Sequence, residues 1–210
     1  MILPHSPARG EPTPVRHPGV VLLPTLTTER LTLRAWDPDD PADVSTAFDI
    51  YRRDDVARWL GAHPAPWTDE DAARARLLRW QSGGREDQPG FGIWAVVPRG
   101  STAPIGSALL VHLPDAEGTP TDDVEIGWHL HPDAWGNGYA TEAGQRLLRH
   151  AREALGVDQI NSVAYAGNDQ SFAVMRRLGL QPRGETDRWY GVHLQWWSTP
   201  GPQPPPVNPE

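Results

Sequence analysis

With no cysteine among its 210 residues, the chain has no route to a disulfide, a thiolate nucleophile or a cysteine-ligated metal. Once its proline-rich ends are set aside, about 170 residues remain, enough for one domain with a full core. A formal net charge of −8 and a pI of about 5.4 disfavour general binding to nucleic acid or anionic membranes and suit a cationic substrate.

Met1 to Pro24 carries six prolines and reads as a disordered or extended arm. Val20 to Leu23 is too short for a signal sequence, and no apolar run approaches about 18 residues, so a cytoplasmic protein is expected. Leu31 to Trp36 alternates as a strand. Pro38-Asp39-Asp40-Pro41 then turns into a helix expected over Asp43 to Tyr51. Asp54 is placed to cap a second helix through Leu60, ended by Gly61. Thr68-Asp69-Glu70-Asp71 resembles a capping box. The helix it opens is lined by Leu77, Leu78 and Trp80 and stops at Ser82-Gly83-Gly84. Phe91 to Val97 and Ile105 to Leu113 read as a hairpin across Pro98-Arg99-Gly100-Ser101. Asp115, Glu117, Asp122 and Asp123 follow as an acidic loop.

The stretch Val124 to Glu142 organises the rest. Val124, Ile126, Trp128 and Leu130 alternate with Glu125, Gly127 and His129, a strand with one buried face. Pro132 ends its ladder. In Trp135-Gly136-Asn137-Gly138-Tyr139 two glycines allow successive N–H groups to converge. Ala140, Ala143, Leu147, Leu148, Ala151 and Leu155 then recur at helical spacing. Strand, glycine turn and helix N-terminus together suit an anion such as phosphate; a tight turn without a ligand would use the same residues. The turn is not G-x-G-x-x-G, and no Gly-Lys-Ser/Thr follows, which disfavours a dinucleotide fold and excludes a P-loop.

Gln159 to Ala166 reads as a strand with Ile160 and Val163 inward. Asn168 or Asp169 caps a helix bearing Phe172, Met175 and Leu178, closed by Gly179. Gln181 to Asp187 and Trp189 to Ser198 close the domain as strands. Trp189, Tyr190, Trp196 and Trp197 either close the core, edge a groove or form a homodimer face. The expected division is an arm over 1–24, one domain over 25–198 and a tail over 199–210.

HPDAWGNGYATEA (His131 to Ala143) resembles the acetyl-CoA signature of the GNAT acetyltransferase superfamily, in the form used by its RimJ/RimL-type branch. TERLTLRAW (Thr28 to Trp36), VEIGWHL (Val124 to Leu130) and Asn168-Asp169-Gln170-Ser171 followed by MRRLGL resemble further pieces of that family in the same order. The resemblance covers Leu26 to Ser198. It implies an α/β fold with a mixed, mostly antiparallel sheet of about seven strands flanked by helices. The central strand and the strand around Ser162 would be a parallel pair that splays apart to admit the pantetheine arm. Three positions depart from the pattern: Asp133 stands where the superfamily usually has Gln or Arg, Asn137 where many relatives are basic, and Met175 where many carry a tyrosine acid.

The resemblance implies an acetyl-CoA-dependent N-acetyltransferase with direct transfer to a primary amine and no metal. Trp135, Gly136, Asn137, Gly138, Tyr139, Ala140 and Thr141 would hold the cofactor. A backbone N–H at His129 or Leu130, freed by a bulge, would meet the thioester oxygen. Asn168 would bond the pantetheine arm, and Ser171 would donate to the departing thiolate. Glu125 is the expected base, because it shares a face with Gly127, which leaves room for substrate; a structural role is the alternative, and His129 is the second base. Tyr51, Arg58 and Trp59 are candidate acceptor contacts or packing residues. The acceptor expected first is a protein N-terminal α-amine, then a small amine such as an aminoglycoside, polyamine or amino acid. A non-catalytic acyl-CoA-binding module is the reading from another class.

Overall fold

The computed structural model describes residues 23–82 and 89–201. Most of the two end segments and the expected stop at Gly83-Gly84 lie outside the described residues. The strands are β1 (Leu26–Thr27), β2 (Leu31–Ala35), β3 (Gly92–Pro98), β4 (Gly106–Pro114), β5 (Pro120–Leu130), β6 (Ile160–Ala164), β7 (Gln181–Thr186) and β8 (Leu194–Ser198). They form one eight-stranded sheet in the order β1-β2-β3-β4-β5-β6-β8-β7. Every pairing is antiparallel except β5–β6. The mixed, mostly antiparallel α/β sheet is therefore as expected, with the short β1 making it eight strands.

Five helices cover the sheet among the described residues: α1 (Pro41–Tyr51), α2 (Asp54–Ala57), α3 (Glu70–Ser82), α4 (Tyr139–Leu155) and α5 (Asp169–Arg177). Helix α1 starts two residues earlier than expected. Pro41 fits the first turn, and the Asp40 carboxylate accepts from the Ala42 amide at 3.0 Å. Helix α2 ends at Ala57, because Trp59 and Leu60 switch to tighter bonds on the Val56 and Ala57 carbonyls. The cap of α3 is Asp69, which accepts from the Ala72 amide at 2.7 Å, while Thr68 bonds Asp69. Leu77 of α3 is fully buried but Leu78 is 45% exposed, so Leu78 does not line the packed face as expected.

Two cores lie on the two faces of the sheet. One joins Leu33, Trp94, Leu110 and Ile126 to Ala143, Leu147 and Ala151 of α4. The other joins Trp36, Ala95 and Val97 to Ile50 and Tyr51 of α1 and Leu77 of α3. Trp135 packs against both.

Several boundaries differ from the sequence reading. Strand β5 begins at Pro120, so Asp122 and Asp123 lie in a strand and not in an acidic loop. Its pairing with β4 persists to Pro114↔Pro120 across a register shift. Ile160 of β6 is buried in the core, whereas Val163, three residues on, lines a cavity on the other face. Strand β8 starts at Leu194, not Trp189, because Tyr190 takes a left-handed φ of 61° that no strand accommodates. Trp189 and Trp197 are buried. At the far end, Thr199 is 1% exposed and exchanges bonds with Ile160.

Candidate active site

The parallel pair β5–β6 is joined only at Val124↔Ile160 and Glu125↔Asn161, while β5 stays paired to β4 as far as Leu130↔Gly106. The side chain of Asn161 sits at this fork. Its amide nitrogen donates to the Val124 carbonyl at 3.2 Å, and its oxygen accepts from Trp196 Nε1 at 2.9 Å. Beyond the fork the two strands diverge around a cavity of about 1260 Å³.

One end of the cavity is the glycine turn. Pro132–Ala134 form a single 3-10 turn, and Gly136 and Gly138 have φ of 76° and 78°. Gly138 is the N-cap of α4 and offers no side chain, so the first-turn amides of Tyr139, Ala140 and Thr141 are left without a side-chain cap. The hydroxyl of Thr141 is buried without a hydrogen-bond partner among the described residues. Free amides, a helix N-terminus and an orphaned hydroxyl fit a phosphate-bearing ligand. The Asn137 side chain is spent on the turn itself, donating to the Ala134 and Trp135 carbonyls. Trp135 Nε1 donates to the Leu130 carbonyl at 2.8 Å. Arg30 supplies charge that Asn137 does not. Its guanidinium reaches Glu142 at 2.6 Å and the Asn137 carbonyl at 3.1 Å, and lies over the Tyr139 ring.

The β4–β5 register runs without a break from Gly106↔Leu130 to His112↔Val124, and its shift lies at the opposite end. The bulge expected near His129 does not occur in this ladder. Alternation opens the edge instead. The His131 amide donates to the Ile105 carbonyl on the β4 side at 2.8 Å, so His129, in phase with it, also faces β4. Trp128 and Leu130 face the diverging edge.

Glu125 stands at the fork, 8% exposed. Its carboxylate accepts from the Tyr190 hydroxyl at 2.5 Å. Burial raises its pKa to about 7, against the opposing pull of the Tyr190 bond and the Val163 amide. His129, further along the same face, is pushed down to about 4 by burial. Tyr51 is fully buried and donates to Ser107 at 2.7 Å, in a network that includes Trp36. Of the three acceptor-contact candidates only Trp59 lines the cavity; Tyr51 is core, and Arg58 stacks on the Trp59 ring at 4.8 Å without lining the cavity. Asn168 accepts from the Ser171 amide at 3.2 Å as the cap of α5. Asn168, Ser171 and the buried Met175 all line the cavity.

Sequence reasoning misses two residues at this site. Tyr190 falls in an aromatic cluster with three open roles; the signal that singles it out is Gly191 interrupting the expected strand. Arg30 has no local signal, since its partner Glu142 lies 112 residues away.

The chain matches the acetyltransferase (GNAT) domain family over residues 30–181. It is 29% identical over 160 residues to an Aspergillus fumigatus protein named FsC-acetyl coenzyme A-N(2)-transacetylase, covering 75% of this chain and 65% of that protein's length. It is 25% identical over 164 residues to the Bacillus subtilis N-acetyltransferase YoaA, covering 78% and 86%. Among solved structures, a GNAT-family acetyltransferase from Bacillus anthracis superposes with a TM-score of 0.66 at 18% identity, covering 83% of this chain and 96% of that one. An acetyltransferase from Agrobacterium tumefaciens gives 0.65 at 24% identity, covering 91% and 100%. The match over residues 30–181, on a sheet that forks where the site requires it, places the chain in the GNAT acetyltransferase family of N-acetyltransferase enzymes.

Proposed function

We propose that the chain is an acetyl-CoA-dependent N-acetyltransferase that transfers acetyl directly to an α-amine, in the first instance a protein N-terminus as in the RimJ/RimL-type reading. The observation that carries this is Glu125, a buried carboxylate with a pKa near 7 in the cavity whose other end is the uncapped N-terminus of α4. An α-amino group has a pKa of about 8, so a base near 7 is matched to it. His129, held near 4, is the poorer base.

When bound, the thioester supplies an activated acetyl carbon. The amides of Gly138 to Thr141 would hold its phosphates, and Asn168 would bond its arm. Glu125 takes the ammonium proton, freeing the nitrogen lone pair. The amides on the open edge of β5, at Trp128 and Leu130, meet the carbonyl oxygen as it gains charge. The freed nitrogen would bond to the acetyl carbon as the carbon–sulfur bond breaks and would shed its second proton to solvent. The Ser171 hydroxyl would donate a hydrogen bond to the departing thiolate, which is then protonated from solvent.

The name of the fungal relative, an N(2)-transacetylase, favours a second reading in which the α-amine belongs to a small molecule. Thiol release from acetyl-CoA is the test, with N-terminal peptides and small amines as acceptors. Release with peptides alone supports the first reading, and release with small amines alone the second. Glu125→Gln should lower kcat/KM at least ~100-fold. Acetyl-CoA binding without turnover on any acceptor would instead favour an acyl-CoA-binding module.

A further inference from the structure

We infer that Tyr190 is a positioning residue for acetyl transfer, whose hydroxyl fixes the Glu125 carboxylate at the fork of the sheet. This rests on the reading of Glu125 as the base.

Tyr190 reaches Glu125 only because its loop is fastened elsewhere. Asp123, two residues before Glu125 on the same face of β5, accepts from Trp189 Nε1 at 3.1 Å and pairs with Arg188 at 2.9 Å. The Tyr190 amide donates to the Pro114 carbonyl at 3.3 Å. His193 bridges Asp187 and Glu185 at the base of the same loop, at 2.8 and 3.1 Å. So held, Tyr190 adopts a φ of 61°, the one positive φ outside glycine among the described residues. A bulky residue takes that conformation at a cost, and such costs persist where the surroundings enforce them. Here the enforced conformation delivers one hydroxyl to one buried carboxylate.

The phenol acts as a donor and not as an acid or base. Burial and the adjoining Glu125 charge push its pKa far above the ordinary tyrosine value, so it keeps its proton at working pH. The other groups around Glu125 leave the hydroxyl its chief polar partner. Asp123 and His129 share its face of β5, and Asp123 is engaged by Arg188. Across the ladder on β4 stands Val111, and on β6 the Val163 amide adds one bond. Asp55 of α2 and Tyr165 line the same cavity.

Tyr190→Phe removes the hydroxyl and keeps the ring. The Glu125 carboxyl can be titrated by ¹³C NMR in glutamate-labelled protein, its resonance assigned by its loss in Glu125→Gln. A hydrogen bond to the ionised form lowers a carboxyl pKa, so the midpoint in Tyr190→Phe should rise by about one pH unit. The acid limb of kcat/KM should move with it, with acetyl-CoA affinity unchanged. In a Glu125→Gln background, Tyr190→Phe should cost no further turnover. A midpoint that stays in place in the folded variant would overturn the inference. So would a Tyr190→Phe loss of turnover that is equal in the wild-type and Glu125→Gln backgrounds. Whether Glu125 is the base is read separately, from the Glu125→Gln single variant against wild type.

Discussion

Glu125 and His129 share one face of β5 and are both deprived of water, with opposite results. Burial disfavours the charged form of each, so the acid moves up to about 7 and the base down to about 4. At neutral pH the glutamate exchanges protons readily, and the histidine stays neutral. The same shifts act on stability. The folded-state pKa of Glu125 lies above its ordinary 4.5, so the folded chain binds this proton more tightly. Its contribution is complete below about pH 4.5 and is lost as pH rises through 7. For His129 the folded value lies below the ordinary 6.5, and stability is lost as pH falls from about 6.5 towards 4. Glu125→Gln should therefore stabilise the protein at pH 8 by about 3 kcal/mol, while lowering its activity. The gain should vanish near pH 4.5. Urea unfolding at the two pH values checks this; equal stabilities at pH 8 would mean that the carboxylate is not held at a cost. Glu125 was legible because period-2 alternation assigns its face. Tyr190 was not, because its bond spans 65 residues and depends on a backbone turn inside an expected strand.

At the level of elements, the site exists because β5 keeps one neighbour and loses the other. Strand β4 must then hold β5 closely up to Leu130, and Gly106 is where it does so. A Cβ at Gly106 would lie 2.2 Å from the His129 carbonyl oxygen and 2.7 Å from the Leu130 Cα, both backbone atoms that cannot rotate away. Gly106→Ala should cost about 3 kcal/mol by forcing the strands apart. Gly100→Ala, in the β3–β4 turn at φ +83° with open space around it, should cost only about 1 kcal/mol. Gly106 itself has a φ of +155°, so in chemical denaturation the loss at Gly106 beyond that at Gly100 reports the close approach; equal losses would remove the special role of Gly106. The elements themselves were largely legible, since strand alternation and the α4 stripe report burial directly. Their ends were less so. The shortening of β8 follows from the left-handed turn at Tyr190, and the extension of β5 to Pro120 from a local hairpin pairing with Pro114 across a register shift, neither of which breaks the apolar pattern.

Across the whole molecule, a net charge of −8 coexists with a cavity that Arg30, Arg146, Arg149 and Arg177 share with Glu29, Asp55, Glu125 and Glu142. On the proposed reading, the arginines would meet a polyanion and Glu125 an amine. Arg30 is the cation fixed on the glycine turn itself. Glu142 and the Asn137 carbonyl orient it, and one of its terminal nitrogens lies 3.5 Å from where a Cβ on Gly138 would be. The charge that the turn lacks at Asn137 is thus supplied from the far edge of the sheet, by the chain entering β2. If Arg30 meets the pyrophosphate, Arg30→Ala should weaken acetyl-CoA binding about tenfold, or ~1.4 kcal/mol. The loss should be the same for the dephospho form, which lacks only the 3′-phosphate, and absent for S-acetylpantetheine, which has no phosphate. Calorimetry with the three ligands tests this. An equal loss for S-acetylpantetheine would show that Arg30 acts through Glu142 on the seating of α4 and not on the phosphates.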